Sequence, residues 1–182
     1  SDCLVGSEMC IRDRLKSCHM YKRAIVPKDF VVPVQLKTSR CIFQPLTQRD
    51  VVRDFDAVMS SEDFLRNVFN PKSAWPTGLS LEGNLADLGW HEVEFRNRSS
   101  FAYTIVDLSD DQTLGCAYVY PSDHSQFDVY ATCWVRDSER ETGLDQHVFD
   151  SFRSWLSDKW PFESVAFPGR LISWSEWYDQ ID

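Results

Sequence analysis

The sequence predicts a single α+β domain built around a hairpin-rich sheet. Two segments with apolar residues at helical spacing come early and another comes late, and three short strand-like runs lie between them. The predicted order is strand, helix, helix, three strands, helix and strand, which is an α+β pattern. A length of 182 residues and a hydrophobic fraction of 43% fit one globular domain with its own core.

The first 14 residues, SDCLVGSEMCIRDR, stand apart from this pattern. They resemble the translated read-through of a sequencing adapter and lack the charged start and long apolar core of a signal peptide. We expect residues 1–14 to be non-native; an ordinary disordered amino terminus is the alternative. Residues 15–35, which contain Pro27 and Pro33, are a predicted lead-in, and the domain is expected over residues 36–182.

The first half of the domain contains one predicted strand and the early helices. A strand over residues 36–46 is followed by Thr47 as a helix cap, with Asp50 three residues later. A helix through about residue 60 and a second helical piece over residues 62–69 follow. Ser80 then caps a longer helix through about residue 96, which Gly83 and Gly89 weaken.

The second half contains the predicted sheet and the late helix. Runs over residues 100–107 and 113–120 form a predicted hairpin, and a third strand covers residues 127–136. Alternation in the third strand predicts one apolar face and one face of functional side chains; the latter are Asp128, Tyr130, Thr132, Trp134 and Arg136. A helix over residues 143–158, a strand over 163–167 and an aromatic tail complete the chain.

Charge and cysteine content restrict the classes of ligand. A net charge of −9 argues against nucleic acid or an anionic membrane as the partner, and no apolar run approaches the roughly 20 residues that span a bilayer. The six cysteines form no CxxC pair and no cluster with zinc spacing. We expect a reducing, cytoplasmic setting with no disulfides and no metal.

Two motifs stand out in the chain. The first is Leu36-x-Thr38-x-Arg40-x-x-Phe43-x-Pro45-Leu46-Thr47, and the second is Val135-x-Asp137-x-x-Arg140-Glu141-Thr142-Gly143-Leu144-Asp145. Both resemble motifs of the GNAT superfamily, the acyl-CoA-dependent N-acyltransferases. The first is similar to the opening of the branch that acetylates protein amino termini, and the second to the family's strand-loop-helix signature. The resemblance implies a mixed, mostly antiparallel sheet flanked by helices.

The same resemblance implies acetyl-CoA as co-substrate. Backbone N–H groups of the loop and the positive end of the next helix would hold the CoA diphosphate, with Gly143 allowing close approach and Arg140 adding a charged hydrogen bond. The backbone of the strand before the loop would pair with the pantetheine arm. The implied cofactor-binding residues are Cys133, Trp134, Val135, Arg140, Glu141, Thr142, Gly143, Leu144 and Asp145.

The loop also departs from the family pattern. Glu141 stands where glycine is usual, and Asp145 where glycine or alanine is usual. Acids near a helix start also help to cap it, so a loop without a ligand remains the alternative to a CoA cradle. Only about 12 residues follow Arg170, and the family's usual carboxyl-terminal elements, including the tyrosine that protonates the leaving thiolate, have no match.

Candidates for the chemistry lie on the third strand and the long helix. Asp128 is a candidate general base, with a solvated strand-edge carboxylate as the alternative, and His91 is a candidate proton shuttle. Tyr118, Tyr120 and Glu94 are candidates for the acceptor site, although packing in the core or at its rim is the default explanation for the two tyrosines.

The sequence therefore predicts an acetyl-CoA-dependent N-acetyltransferase acting on a small amine or a protein amino terminus by direct transfer. The alternative is a catalytically inactive module of the same fold that binds a partner and no longer holds CoA. A homodimer is compatible with either reading.

Overall fold

The computed structural model describes residues 23–66, 68–69 and 73–179. The segment expected to be non-native lies outside them. The strands are β1 (Leu36–Lys37), β2 (Ile42–Pro45), β3 (Phe101–Val106), β4 (Thr113–Pro121), β5 (Val129–Val135) and β6 (Val165–Ala166). The helices are α1 (Val51–Met59), α2 (Glu62–Leu65), α3 (Leu81–Asn97), α4 (Leu144–Lys159) and α5 (Trp174–Asp179), with 3-10 helices at Gln48–Asp50 and Asp137–Thr142.

The six strands form one sheet in the order of the chain, β1 to β6. Neighbours from β1 to β5 pair antiparallel, whereas β6 pairs parallel to β5. The crossover from β5 to β6 runs through α4, since a parallel neighbour cannot be reached by a tight turn. The α+β prediction, with a mixed and mostly antiparallel sheet flanked by helices, is confirmed.

Two predicted elements at the start of the domain are wrong. The single strand over residues 36–46 is two strands, because Thr38 makes a turn in which its amide and hydroxyl donate to the carbonyl of Cys41. The helical piece over residues 62–69 ends at Leu65. There the Val68 amide donates to the Leu65 carbonyl, three residues back, which is too tight for an α-helix.

Other predicted boundaries agree with the structure within a few residues. The Ser80 hydroxyl caps α3 by accepting from the Gly83 amide at 3.0 Å, and the Thr47 amide donates to the Asp50 carboxylate at 2.9 Å. The described lead-in packs on the domain: Arg98 donates to the carbonyls of Pro27 and Phe30. These contacts hold residues 23–35 against the sheet.

The sheet has a hydrophobic core on each side. The larger core includes α4 residues such as Phe152, and the smaller one includes α1 and α3 residues such as Val58 and Leu88. The predicted face of functional side chains on β5 is therefore corrected at its carboxyl end. Thr132, Trp134 and Arg136 are all buried, because α1 and α3 cover that face.

Candidate functional site

The carboxyl half of β5 has an unpaired edge, because β6 ends after two residues, and we call the space beside this edge the cleft. The two strands pair only at Val129 with Val165 and Tyr130 with Ala166, whereas β5 continues to Val135. The Arg136 amide donates to Leu114, on the β4 side. Backbone groups of alternate strand residues point to opposite edges, so those of Cys133 and Val135 face the cleft.

A bulge in β4 brings β5 unusually close to its neighbour. The register of β3 and β4 shifts between Ile105 and Val106, so that Leu114 is left without a partner in β3. Gly115 lies opposite Val135, and a Cβ atom on it would lie 2.0 Å from the Trp134 carbonyl oxygen. Glycine is required here, since any side chain would push β5 toward the cleft.

The predicted strand-loop-helix arrangement is present at the end of β5. The loop is the 3-10 helix Asp137–Thr142, and Gly143 joins it to α4 with a φ of 79°. This left-handed conformation favours glycine. Leu144 is buried and anchors the first turn of α4 in the core.

An arginine from the β1–β2 hairpin lies against this loop. Arg40 donates to the Thr142 carbonyl at 3.3 Å and to its hydroxyl at 3.2 Å. Its Nη1 atom lies 3.7 Å from where a Cβ of Gly143 would be. Arg40 was part of the first motif but had no predicted role in the site; the motif was its only signal, because the contact spans 102 residues.

The Arg140 side chain contacts α2 and its own loop, and it is not positioned to bind a diphosphate in the cleft. Its guanidinium stacks on the Phe64 ring of α2, 3.7 Å from the centroid, and donates to Asp137 at 3.1 Å. The Asp137 amide in turn donates to the Ser61 hydroxyl. Glu141 is exposed. These contacts fasten the loop to α2, so the charge of Arg140 is already engaged by protein groups.

An ion pair crosses the cleft. Arg170, which follows β6, donates to both carboxylate oxygens of Asp145 in the first turn of α4, at 2.5 and 2.6 Å. It also donates to the Cys133 carbonyl on the open edge of β5, at 3.5 Å. Asp145 and Arg170 each remain one quarter exposed. Burial raises the pKa of the neighbouring Cys133 thiol to about 12, so the thiol is protonated at neutral pH.

Asp128 lies at the closed end of the cleft and is occupied by backbone donors. Its carboxylate accepts from the Glu163 amide at 2.8 Å and the Ser164 amide at 3.0 Å. The Asp128 amide donates to the Ser164 carbonyl. This arrangement joins the starts of β5 and β6, which is a structural role independent of any base function.

The His91 and Glu94 candidates lie inside the fold. His91 is 4% exposed, and its Nδ1 atom lies 3.9 Å from a Glu94 carboxylate oxygen. Glu94 also accepts from the Ser100 hydroxyl at 2.7 Å. The His91 ring lies 5.4 Å from that of Tyr118, which is itself buried.

A row of aromatic rings crosses this face of the sheet toward the closed end of the cleft. Tyr118 stacks on Tyr120, and Tyr120 contacts Tyr130, at centroid distances of 5.8 and 5.3 Å. Trp177 of α5 lies 5.4 Å from Tyr130. Tyr120 and Tyr130 are only partly buried. They are therefore the members of the row that a ligand can reach.

The described residues contain no group of three or more His, Cys, Asp and Glu side chains that could hold a metal ion. No helix among these residues is long and apolar enough to cross a membrane.

Sequence comparison identifies no relative: no known family profile matches the chain, and no curated sequence is similar to it. Solved structures do match. The microcin C7 self-immunity acetyltransferase MccE, in complex with acetyl-CoA and AMP, has a TM-score of 0.56 at 10% identity, over 70% of this chain and 68% of that one.

Two acetyltransferases of ribosomal proteins are similarly related. RimL, a ribosomal L7/L12 alpha-N-protein acetyltransferase in complex with coenzyme A, has a TM-score of 0.54 at 12% identity, over 69% of this chain and 67% of that one. The ribosomal-protein-S5-alanine acetyltransferase from Vibrio fischeri has a TM-score of 0.54 at 14% identity, over 68% and 67%. Identities this low establish architecture alone. The chain has the fold of the GNAT acetyltransferases.

Proposed function

We propose that the chain is an acyl-CoA-dependent N-acyltransferase, with acetyl-CoA as co-substrate and an amine as acceptor. The observation that carries the proposal is the cleft itself. β5 continues past the end of β6 with the backbone of Cys133 and Val135 on its unpaired edge, and Gly143 starts α4 in a left-handed conformation beside it. The coenzyme A and acetyl-CoA complexes of proteins with this fold support the same reading.

The residues at the cleft fit acetyl-CoA in part, at its pantetheine arm and at its diphosphate. The Val135 N–H and the Cys133 carbonyl supply a donor and an acceptor for the amides of a pantetheine arm. The amides in the first turn of α4 supply donors for a diphosphate, and Arg40 adds a positive charge beside Gly143. Arg140 stacks on Phe64, so Arg40 of the β1–β2 hairpin would supply the positive charge that the motif predicted for Arg140.

Acyl transfer would take place directly between the thioester and the acceptor amine. The partly buried rings of Tyr120 and Tyr130 lie where the cleft closes and would attract an ammonium group through their faces. The proton must leave the nitrogen before attack. Asp128 and His91 stay candidates for this step, although the two amide donors of Asp128 favour a structural role for it. The acceptor class, a small amine or a protein amino terminus, follows the resemblance to proteins that acetylate ribosomal proteins.

A second function is a non-catalytic module of this fold that binds a partner. The observation in its favour is the Asp145–Arg170 ion pair, which crosses the cleft and engages the Cys133 carbonyl that a pantetheine arm would use. In this reading the closed cleft is the permanent state, and the aromatic carboxyl-terminal helix is available for packing.

Thermal denaturation with acetyl-CoA separates the two functions. With a Kd of about 10 μM, 1 mM acetyl-CoA stabilises the fold by about 2.7 kcal/mol, which raises Tm by roughly 5–10 °C for a domain of this size. Gly143→Trp should abolish the shift, because it fills the cradle. Gly78→Trp is the matched control: Gly78 has a φ of 74° and open space around it, so the backbone strain is comparable and the shift should persist.

A wild-type chain that shows no shift at 1 mM acetyl-CoA would contradict the acyltransferase proposal and favour the non-catalytic module. If the shift is present, incubation with acetyl-CoA and either small polyamines or peptides with free amino termini, followed by mass spectrometry, identifies the acceptor class.

We also propose a cytoplasmic location, since Cys41, Cys116 and Cys133 are buried free thiols.

A further inference from the structure

Arg170 and Asp145 form a contact that neither the predicted motifs nor the fold explains. They lie 25 residues apart in the chain, Asp145 on α4 and Arg170 on the segment after β6, and their side chains meet beside the unpaired edge of β5. We call this pair, with its bond to the Cys133 carbonyl, the cleft latch. A surface ion pair would be solvated, whereas each partner here is three quarters buried.

The cleft latch occupies the path that the proposed co-substrate needs. Its third contact is the Cys133 carbonyl, which lies on the stretch of β5 edge beyond the end of β6. Arg170 also lies 5.3 Å from the Phe149 ring of α4, which fills the space behind it. A pantetheine arm that pairs with β5 must therefore displace the Arg170 guanidinium from Cys133.

The chemistry of the displaced group suggests where it goes. A guanidinium binds a phosphate with the same two-pronged geometry with which it binds a carboxylate. Asp145 is the second residue of α4, so Arg170 is already held at the helix end where the proposed diphosphate would lie. The loop carries Asp137, Glu139 and Glu141, and its Arg140 is engaged by Phe64 and Asp137. Arg170 is thus a cation available to offset this acidic surrounding.

We propose that the cleft latch opens when acyl-CoA binds, and that Arg170 then exchanges the carboxylate of Asp145 for the diphosphate of the co-substrate. This inference rests on the proposed function. In it, Arg170 is a diphosphate ligand and Asp145 is a positioning residue that holds Arg170 in place while the cleft is empty. Asp145 and the diphosphate compete for the Arg170 guanidinium. Pairing with Arg170 neutralises Asp145 while the cleft is empty, so a carboxylate is tolerated where the family signature has glycine or alanine.

The test compares two probes, coenzyme A and S-acetylpantetheine, which lacks the diphosphate. Affinities are measured by calorimetry or ligand-observed NMR for the wild-type chain, Arg170→Gln and Asp145→Asn. Arg170→Gln removes the diphosphate contact but also opens the latch. It should weaken coenzyme A binding about tenfold or more, the effect of one charged hydrogen-bonded pair, while it strengthens binding of S-acetylpantetheine. Asp145→Asn frees Arg170 and should strengthen binding of both probes.

Controls separate this effect from general loss of charge or of fold. Arg153→Gln and Asp158→Asn make the same charge changes at exposed positions of α4 and should leave both affinities unchanged. Arg170→Lys keeps the charge and loses the two-pronged geometry, so its coenzyme A affinity should lie between those of the wild type and Arg170→Gln. Each variant's melting temperature without ligand reports whether it folds.

Two results would overturn the exchange. Stronger coenzyme A binding by Arg170→Gln would mean that the latch only blocks the cleft, and an unchanged affinity would mean that Arg170 has no part in binding. Failure of the proposed function looks different: then the wild type and every variant, Asp145→Asn included, fail to bind either probe.

Discussion

Gly115→Ala should destabilise the fold strongly because of the β4 bulge. The new Cβ would lie 2.0 Å from the Trp134 carbonyl oxygen and 2.9 Å from both the Trp134 carbonyl carbon and the Val135 Cα. A carbon and an oxygen normally approach no closer than about 3.3 Å. The two strands must therefore move apart by about 1 Å, and the atoms in contact are backbone, which cannot rotate away as a side chain can.

The expected loss is about 3 kcal/mol, at the upper end of the range for overpacking in a core. For a chain of this size that corresponds to a fall in Tm of roughly 6–12 °C. Urea denaturation followed by tryptophan fluorescence measures the free energy of unfolding directly, since Trp134 lies fully buried at the strained contact.

Gly83→Ala provides a matched control with the opposite sign. Gly83 lies inside α3, and its Cβ would lie 3.4 Å from the Ser80 hydroxyl and 3.5 Å from Leu79, which are ordinary contacts. Alanine favours a helix interior over glycine, so this variant should be more stable by about 0.5–1 kcal/mol. A Gly115→Ala chain as stable as the wild type would refute the bulge geometry and, with it, the position of Val135 at the cleft.

Three further predictions concern other parts of the fold. Burial raises the pKa of Asp54, so its protonation stabilises the folded chain fully below about pH 3.9, and this stability is lost as pH rises through the raised pKa. Asp54→Asn should therefore be more stable than the wild type at pH 7, with an advantage that shrinks in acid. Parallel pH profiles of Tm for the two chains would contradict this. Asp128→Asn should lose about 1 kcal/mol of stability, because it weakens the two hydrogen bonds from backbone amides just before β6. It should leave the kcat of any acetyl transfer unchanged, and a 100-fold fall in kcat would instead identify Asp128 as the base. Trp177→Ala should lower the free energy of unfolding by about 3 kcal/mol, since the indole is buried against His124, Phe127 and Tyr130. Limited proteolysis should then cut within α5, and an uncut α5 would mean that other contacts hold it.

Local patterns predicted those features of the fold that depend on neighbours in the chain. The helical spacing around Leu144, Val148 and Phe152 predicted α4, because one apolar stripe must face the core. The glycine before it predicted a left-handed residue, and Ser80 predicted a capped start for α3. The β3–β4 hairpin followed from alternation and a polar turn. The β1–β2 turn was missed, because Thr38 and Cys41 form it through side-chain bonds in a run without glycine or proline.

The resemblance supplied a mixed, mostly antiparallel sheet, and the structure confirms it. It also placed the pantetheine arm along the strand before the loop, whose outer edge is the one at the cleft. It did not indicate the state of that cleft, since the family pattern records which residue types are usual and not what an unusual residue contacts. From the sequence, Asp145 was an acid at a position where the family has glycine or alanine, whereas in the fold it is paired with Arg170.

By itself, the sequence determined the α+β class, most helix and strand positions and the glycine that starts α4, because periodicity, capping and left-handed backbone are local properties. Only the tertiary structure decided that Trp134 is in the core, that Arg140 stacks on Phe64, that Arg40 reaches Gly143, and that Arg170 closes the cleft. Each of these contacts joins parts of the chain more than 20 residues apart, and such contacts depend on how the helices pack on the sheet. Charge at the cleft is therefore a property of the folded molecule, and the loop's own residues do not reveal it.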